Sequence, residues 1–334
     1  MTTQPRHTFS DYETAVEAAF ERGWTDGLPI MPPTEAKVAL FLQHAGLAPA
    51  TVLGHVVTRD VDVTAEQVAA NAVMAGCKPE YMPVVVAAMR ALLHERSHLH
   101  STSGSLTGPA HAIIVNGPIR RDLEINCKLG VFGPGFRANA TIGRAVRLVI
   151  RNVCKSIPGF LDRATFSTPA RYSFCFGENE EDSPWIPLHA ERGLLPQQSA
   201  VTVNSFQKTT AATDNASRTP QAICDTVVKA VRRGGVNADE WLGGAMDVIL
   251  VVGMEHMRYF AEAGWSKEQM RDYLFPRLVE PPRQDEERVG LTSPDHILIV
   301  AAGGQGIAQT HVLHPHRSWA ITVPIEPSPM PLRQ

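Results

Sequence analysis

Cysteines offer the sharpest candidate chemistry in this chain, and Cys77 has the most suggestive setting. Gly76 precedes it, and Lys78 and Pro79 follow. The pattern predicts a helix stop at Gly76 and a helix start at Pro79. The thiol would then face unpaired backbone N–H groups and the positive end of a helix dipole. With Lys78 beside it, that setting predicts a lowered pKa and a nucleophilic thiolate. The competing reading is a small buried residue in a tight turn, a common fate of free cysteine. Cys175 lies in a strand-like run, Tyr172-Ser-Phe-Cys-Phe176, followed by Gly177-Glu-Asn-Glu-Glu-Asp182. The acids predict a raised pKa, which makes Cys175 a supporting group or a buried strand thiol. Glu178 serves as a general base if the acidic turn folds over a pocket, and otherwise belongs to a solvated turn.

Anion recognition has its own candidates. Gly133-Pro-Gly-Phe-Arg-Ala-Asn-Ala-Thr-Ile-Gly-Arg144 reads as a glycine-bearing loop that runs into a helix. Free N–H groups at such a start attract anions, so Arg137, Asn139 and Arg144 are expected to hold a carboxylate or phosphate. The bland alternative is a capped helix with a basic solvent face. Glu255-His256 follows an apolar run at 248–252, where α/β proteins place ligands at strand carboxyl ends. His256 is therefore an acid–base candidate, and Gly303 and Gly304 could cradle an anion after a second strand. Neither glycine run is a Walker motif or a dinucleotide fingerprint, so an NAD-binding reading is rejected and the identity of any cofactor stays open.

The histidines form two dense groups. His94, His98 and His100 come with Glu95, and His311, His314 and His316 follow the glycine loop. Their spacing admits a metal, but no His-Glu-x-x-His is present, and no residue is assigned as a ligand. Ser101-Thr-Ser-Gly-Ser105 is a polar loop, not a nucleophile elbow.

The elements that must position these groups follow from period and punctuation. Helices are expected at 11–22, from Thr34 to about 44, and from Thr64, with Gln67 in the capping-box position, to Gly76. Further helices are expected from Pro79 through 93, at 139–154, at 219–233, at 255–263 and at 267–278. Strands are expected at 55–63, 111–115, 171–176, 200–204, 248–252, 296–301 and 319–323. The polar stretch 203–218 reads as a mobile loop, and no internal repeat is visible. This alternation predicts an α/β fold with a mixed or parallel sheet and flanking helices, in one unit or two intimately packed lobes. A lobe at 1–200 would carry the Cys77 and Arg144 regions. A lobe at 201–334 would carry Glu255-His256 and the Gly303–Gly306 loop.

Bulk properties narrow the classes. The 334 residues are 44% hydrophobic, enough for a sizeable core. A net charge of −3 argues against a nucleic-acid protein. No apolar run is long enough to span a membrane, and the first residues lack a signal-peptide core. A cytoplasmic address is expected. Five scattered cysteines without a CxxC pair argue against a disulfide framework.

Several segments resemble a family of uncharacterised bacterial proteins often found near selenoproteins that carry a UGSC motif. They are Gly23-Trp-Thr-Asp-Gly-Leu-Pro29 with Pro32-Pro-Thr34, Ala75-Gly-Cys-Lys-Pro-Glu-Tyr81, Val115-Asn-Gly-Pro118 and the Gly133–Arg144 run. Cys175-Phe-Gly-Glu-Asn-Glu180 with Ser183-Pro-Trp185, and Gly264-Trp-Ser266, complete the set. Met254 stands where that pattern has proline, and the loop Ala302-Gly-Gly-Gln-Gly306 stands where it has Gly-Gly-Pro-Gly. The resemblance implies an enzyme-like role with thiol or selenol chemistry nearby.

The sequence reading is an enzyme that acts on a small anionic organic molecule by cysteine-assisted lyase or hydrolase chemistry. Cys77 would be the thiolate, Cys175, Glu178 and His256 supporting or acid–base groups, and Arg137, Asn139, Arg144, Gly303 and Gly304 the anion holders. Two alternatives stand beside it: a metal-dependent hydrolase or lyase using the histidine groups, and a non-catalytic subunit of a redox or seleno-enzyme. Partners beyond the small anion would be another copy of the chain or a partner enzyme.

Overall fold

The computed structural model describes residues 6–236 and 246–331. Its centre is a seven-stranded mixed sheet, with a small antiparallel pair, β1 (Val52–Val56) and β2 (Val61–Thr64), set apart from it. The main sheet uses β3 (Ala110–Asn116), β4 (Cys175–Gly177), β5 (Ala200–Thr213), β6 (Val248–Val252), β7 (Ile297–Ala301), β8 (Gln309–Pro315) and β9 (Ile321–Pro324). The order is β4-β3-β5-β8-β6-β7, and β9 pairs with the first part of β5.

That order holds a repetition the residue pattern does not show. β3 and β4 are parallel, and β5 lies antiparallel beside β3. β6 and β7 are parallel, and β8 lies antiparallel beside β6. The two three-strand units join through the antiparallel seam of β5 with β8. The repetition is one of strand order and direction. The expected mobile loop at 203–218 is corrected: β5 runs on to Thr213, paired with β8 across a bulge near Phe206. Its polar half reads as loop in sequence, yet its backbone partners are supplied by β8, a strand absent from those expected of the sequence.

Strand alternation sorts the core into three compartments. Ile113 and Val115 of β3 face a helical layer built from α2 (Glu35–Ala45), α3 (Ala65–Ala75), α4 (Met82–Leu93) and α7 (Arg137–Asn152). Val248, Leu250 and Val252 of β6 face α9 (Pro220–Gly234), α10 (Met254–Glu262) and α11 (Lys267–Val279). The alternate residues, among them Ala112, Ile114, Ile249, Val251, Leu298 and Val300, form a third cluster with Phe176 and Phe206. This inner cluster exists because the sheet curls. Asn179, just past β4, donates its N–H to Ala301 O at the end of β7 at 2.7 Å. The outermost strands thus meet at their carboxyl ends.

Among the described residues, no helix is long and apolar enough to cross a membrane. The remaining helices are α1 (Tyr12–Glu21) and the single turns α5 (Leu99–Thr102), α6 (Ile119–Asp122) and α8 (Leu188–Glu191).

Candidate functional site

A large cavity, about 640 Å³, opens beyond the carboxyl end of β3 and against the start of α7. Three stretches of chain build it. Gly117, at φ +83°, turns the chain out of β3, and a side chain there would strike Gln198 O. The chain then forms α6 and returns through Ile125, Asn126 and Cys127 along the cavity wall. Asn139 holds that return in place: its Oδ1 accepts from Asn126 N at 2.8 Å and its Nδ2 donates to Asn126 O at 2.9 Å. The second stretch is the α3–α4 connection, with Lys78 and Tyr81. The third is Gly135 through Ala138 at the head of α7.

The wall is strongly basic in a chain of net negative charge. Lys78, Arg120, Arg121, Lys128 and Arg137 line it, against Glu124 and Glu181. Arg120 is buried, and its guanidinium meets Glu181 at 2.9 and 3.2 Å and Glu180 at 3.0 Å. Burial works against the Arg120 charge, but the two carboxylates outweigh it and raise its pKa. Its Nε nevertheless finds no partner. Lys128 pairs with Asp182 at 2.8 Å, and Arg137 donates twice to Gly76 O, at 3.0 and 3.1 Å. Lys78 has no carboxylate partner among the described residues. No side chain caps the N-terminus of α7, and no acid lies in its first turn. The positive end of a sixteen-residue helix is therefore unopposed at the cavity.

The thiol at this wall is Cys127, not Cys77. Its Sγ lies 4.0 Å from Arg120 Nη1. Burial raises its pKa, while Arg120 and Lys128 oppose the rise. Cys77 is buried, and its Sγ donates to Thr141 O at 3.3 Å. Burial pushes this thiol up to about 12, against the pull of Arg137 and Arg144. The expected lowered pKa is overturned, because loss of water outweighs the helix start and the nearby charges. Cys175 is also raised, first by burial and then by Cys77. Cys77 and Cys175 belong to one core cluster, and neither lines the cavity. The acids following Cys175 are not the cause.

The other predicted residues are placed as follows. Arg144 does not line the cavity; it grips Asp26 through two bonds of 2.8 Å and also donates to Leu28 O and Pro29 O. Glu178 is buried and accepts from Asn116 Nδ2 at 2.6 Å and Leu188 N at 2.8 Å, with Lys267 Nζ at 3.5 Å. His256 bridges Thr310 Oγ1 at 2.9 Å and Asp214 O at 3.3 Å, and burial lowers its pKa. Gly303 donates its N–H to Cys127 O at 2.9 Å, and Gly304 packs so tightly on Leu129 that a Cβ would meet it at 2.7 Å. These glycines brace the cavity wall from behind.

The histidine groups do not converge. Among the described residues, no three of His, Cys, Asp or Glu are arranged to hold a metal ion. His314 spends both ring nitrogens, on Gly235 O and Thr210 Oγ1, at 2.9 Å each. His311 meets Gln309 Oε1 at 3.0 Å, and His94 accepts from Arg96 N.

Of the nine predicted site residues, only Arg137 lines the cavity, and Asn139 positions its wall. Sequence reasoning missed Lys78 as a wall residue, Tyr81, Arg120, Arg121, Cys127 and Lys128. Val115-Asn-Gly-Pro118 was the available signal, since it marks the strand end that launches most of them. No protein-family model matches the chain, and no curated protein does.

Proposed function

We propose that this cavity binds a small organic anion and that the protein is an enzyme acting on it by thiol-assisted lyase or hydrolase chemistry. The observation that carries the reading is five cations around one cavity at the uncapped head of α7. Backbone N–H groups and a helix dipole favour a carboxylate or phosphate there, and Arg137 and Arg121 supply planar donors for it. Cys127 enters as a protonated thiol, because burial raises it. Its natural part is proton donation to a leaving group at the anion's inner end. This reading moves the thiol role from Cys77 to Cys127 and keeps Arg137 and Asn139. It agrees with the thiol chemistry implied by the resemblance to the UGSC-neighbour family.

Calorimetry with a panel of small carboxylates and organic phosphates tests it. Saturable binding is expected, weakened about tenfold by Lys78→Ala or Arg137→Ala, the loss of one charge-assisted contact. Absence of binding across both classes, or binding that ignores both substitutions, overturns the reading. Cys127→Ala should then abolish turnover of any ligand found to react, while leaving its affinity in place.

A second reading, an assembly role with another copy of the chain or a partner enzyme, has one observation in its favour. Leu106, Phe160 and Phe166 are exposed, and Thr165 N bonds Leu106 O, so the apolar groups lie on neighbouring segments. Light scattering of the purified chain, with Phe166→Ser as the variant, tests this reading.

A further inference from the structure

A second group of cations lies on α7, away from the large cavity. Arg147 and Arg171 converge on one carboxylate, Asp162. Arg171 Nη2 stands 2.7 Å from Asp162 Oδ2, and Arg147 Nη2 stands 3.3 Å from the same oxygen. The side chains are 13%, 10% and 6% exposed respectively for Arg147, Arg171 and Asp162. Arg151, one helical turn beyond Arg147, donates its Nε to Thr25 O. Two guanidiniums thus share a single buried carboxylate, with Arg151 bonded elsewhere.

The donors are not used up. Arg147 Nη1, Arg171 Nε and Arg151 Nη1 are buried and have no hydrogen-bond partner. An unmade bond on a buried charged group is costly, and Arg147 and Arg171, joined at Asp162, each carry one. Arg147 and Arg171 both line a small cavity of about 10 Å³, together with His111, Gly143, Ser173 and Phe174. That volume matches one water-sized sphere.

The field inside is positive. Burial, then Arg147 and Arg171, hold His111 well below its ordinary pKa, so the imidazole adds no further positive charge. Burial and Arg171 pull Arg147 down to about 9, with Asp162 only partly opposing. A guanidinium keeps its proton inside proteins, so the imbalance is relieved by a counterion rather than by deprotonation. Ser173 donates its hydroxyl to Asn139 O and accepts from neither the Arg147 Nη1 nor the Arg171 Nε donor.

We propose that the cavity between Arg147, Arg171 and His111 holds one small monovalent anion of halide size. A water fills the same volume but leaves the charge unbalanced, and a carboxylate or phosphate is too large for it. The ion would fasten the long excursion between α7 and β4, which carries Asp162 and Arg171, to the face of α7.

Crystals grown without halide and soaked in sodium bromide test the proposal directly. An anomalous peak within contact of Arg147 Nη1 and Arg171 Nε is expected. Ordered water there with no anomalous signal overturns it. In solution, replacing gluconate by chloride at fixed ionic strength should give a saturable rise in the unfolding midpoint. The rise should persist in the Lys78→Ala/Arg137→Ala double variant, which weakens the large cavity, and disappear in Arg171→Gln. An equal midpoint in gluconate and chloride for the wild-type chain overturns the proposal even if Arg171→Gln fails to fold. Loss of the rise in the double variant reassigns the ion to the large cavity and overturns it too.

Discussion

Arg144 and Asp26 meet through two parallel hydrogen bonds of 2.8 Å, and this clasp fixes the loop 24–33 to the middle of α7. The loop carries Gly27 at φ +94° and three prolines, so it has no ladder of its own. Arg144 supplies its attachment, with further donation to Leu28 O and Pro29 O.

Arg144→Ala should therefore cost about 3 kcal/mol of stability, the lower end for removing one partner of a mostly buried pair. Anion binding at the large cavity should change little. Asp26→Asn should cost less, and the double variant less than the sum of the two. Urea denaturation with calorimetric binding on each variant checks this. A large loss of affinity at unchanged stability would return Arg144 to the anion site.

Thiol labelling should follow access rather than local charge. Cys127 lines the large cavity, whereas Cys77 and Cys224 are pushed up to about 12, and Cys154 to about 11, chiefly by burial. Iodoacetamide should modify Cys127 first in the native protein, and the others only on unfolding. Peptide mapping that finds Cys77 labelled first would show an opening that the packed turn does not provide.

Lys267 is buried between Glu178 at 3.5 Å and Glu191 at 2.8 Å. Lys267→Met removes the cation from buried Glu178, while Glu191 keeps Arg271 at 2.9 Å. The expected loss is about 3–5 kcal/mol. Lys267→Met with Glu178→Gln should recover part of it, because the uncompensated buried charge disappears. Chemical denaturation of the single and double variants measures the recovery.

Gly143 lies where α7 crosses the chain entering β4. A Cβ there would strike Ser173 Oγ and stand 2.9 Å from Phe174 N. Gly143→Ala should destabilise the protein by about 2–3 kcal/mol despite its better helix propensity. A gain in melting temperature would mean that the chain at this crossing yields to the added methyl group.

His314 predicts a direction for acid sensitivity. Burial holds it at about 4, against an ordinary 6.5. In the folded state the ring stays neutral where the unfolded chain already binds a proton. Stability is then full above pH 6.5, falls as pH drops toward 4, and levels off below. This one group contributes on the order of 3 kcal/mol across that window. His256, His311 and His111 are lowered in the same direction by burial. Unfolding free energies measured between pH 4 and 7 should decline on the acid side, less steeply in His314→Gln.

Legibility from sequence tracked how local each signal was. The Thr64–Gln67 capping box and the left-handed stop at Gly76 are there as read, as are the Thr34 cap and the Gly46 stop. The apolar runs of β6 and β7 are strands buried on both faces. β8 escaped notice because its histidines resembled ligands, whereas His314 is a buried strand residue bonded to Thr210 and Gly235 O. The outer half of β5 escaped because Lys208, Thr209 and Thr210 carry no alternation of apolar residues. At the cavity, the glycine-led start of α7 flagged Arg137. Arg120, Cys127 and Tyr81 come from other stretches, and their meeting depends on the turn at Gly117 and the Asn126–Asn139 clamp. Cys77 misled because sequence shows its neighbours in the chain but not the helices that close over it.

The seam between β5 and β8 also bears on how the chain is made. Residues 208–213 of β5 bond to residues 309–314 of β8, about a hundred positions later. During synthesis from the N-terminus, the first three-strand unit can pair while the outer half of β5 still waits for its partner. That half is then an unpaired strand edge, open to other chains. Lys208 and its polar neighbours are well chosen for such an interval: the residues that hid β5 from sequence reading keep its waiting edge soluble. Late closure by β8 completes the second unit and, through the contact of Asn179 with Ala301, brings together the ends of both.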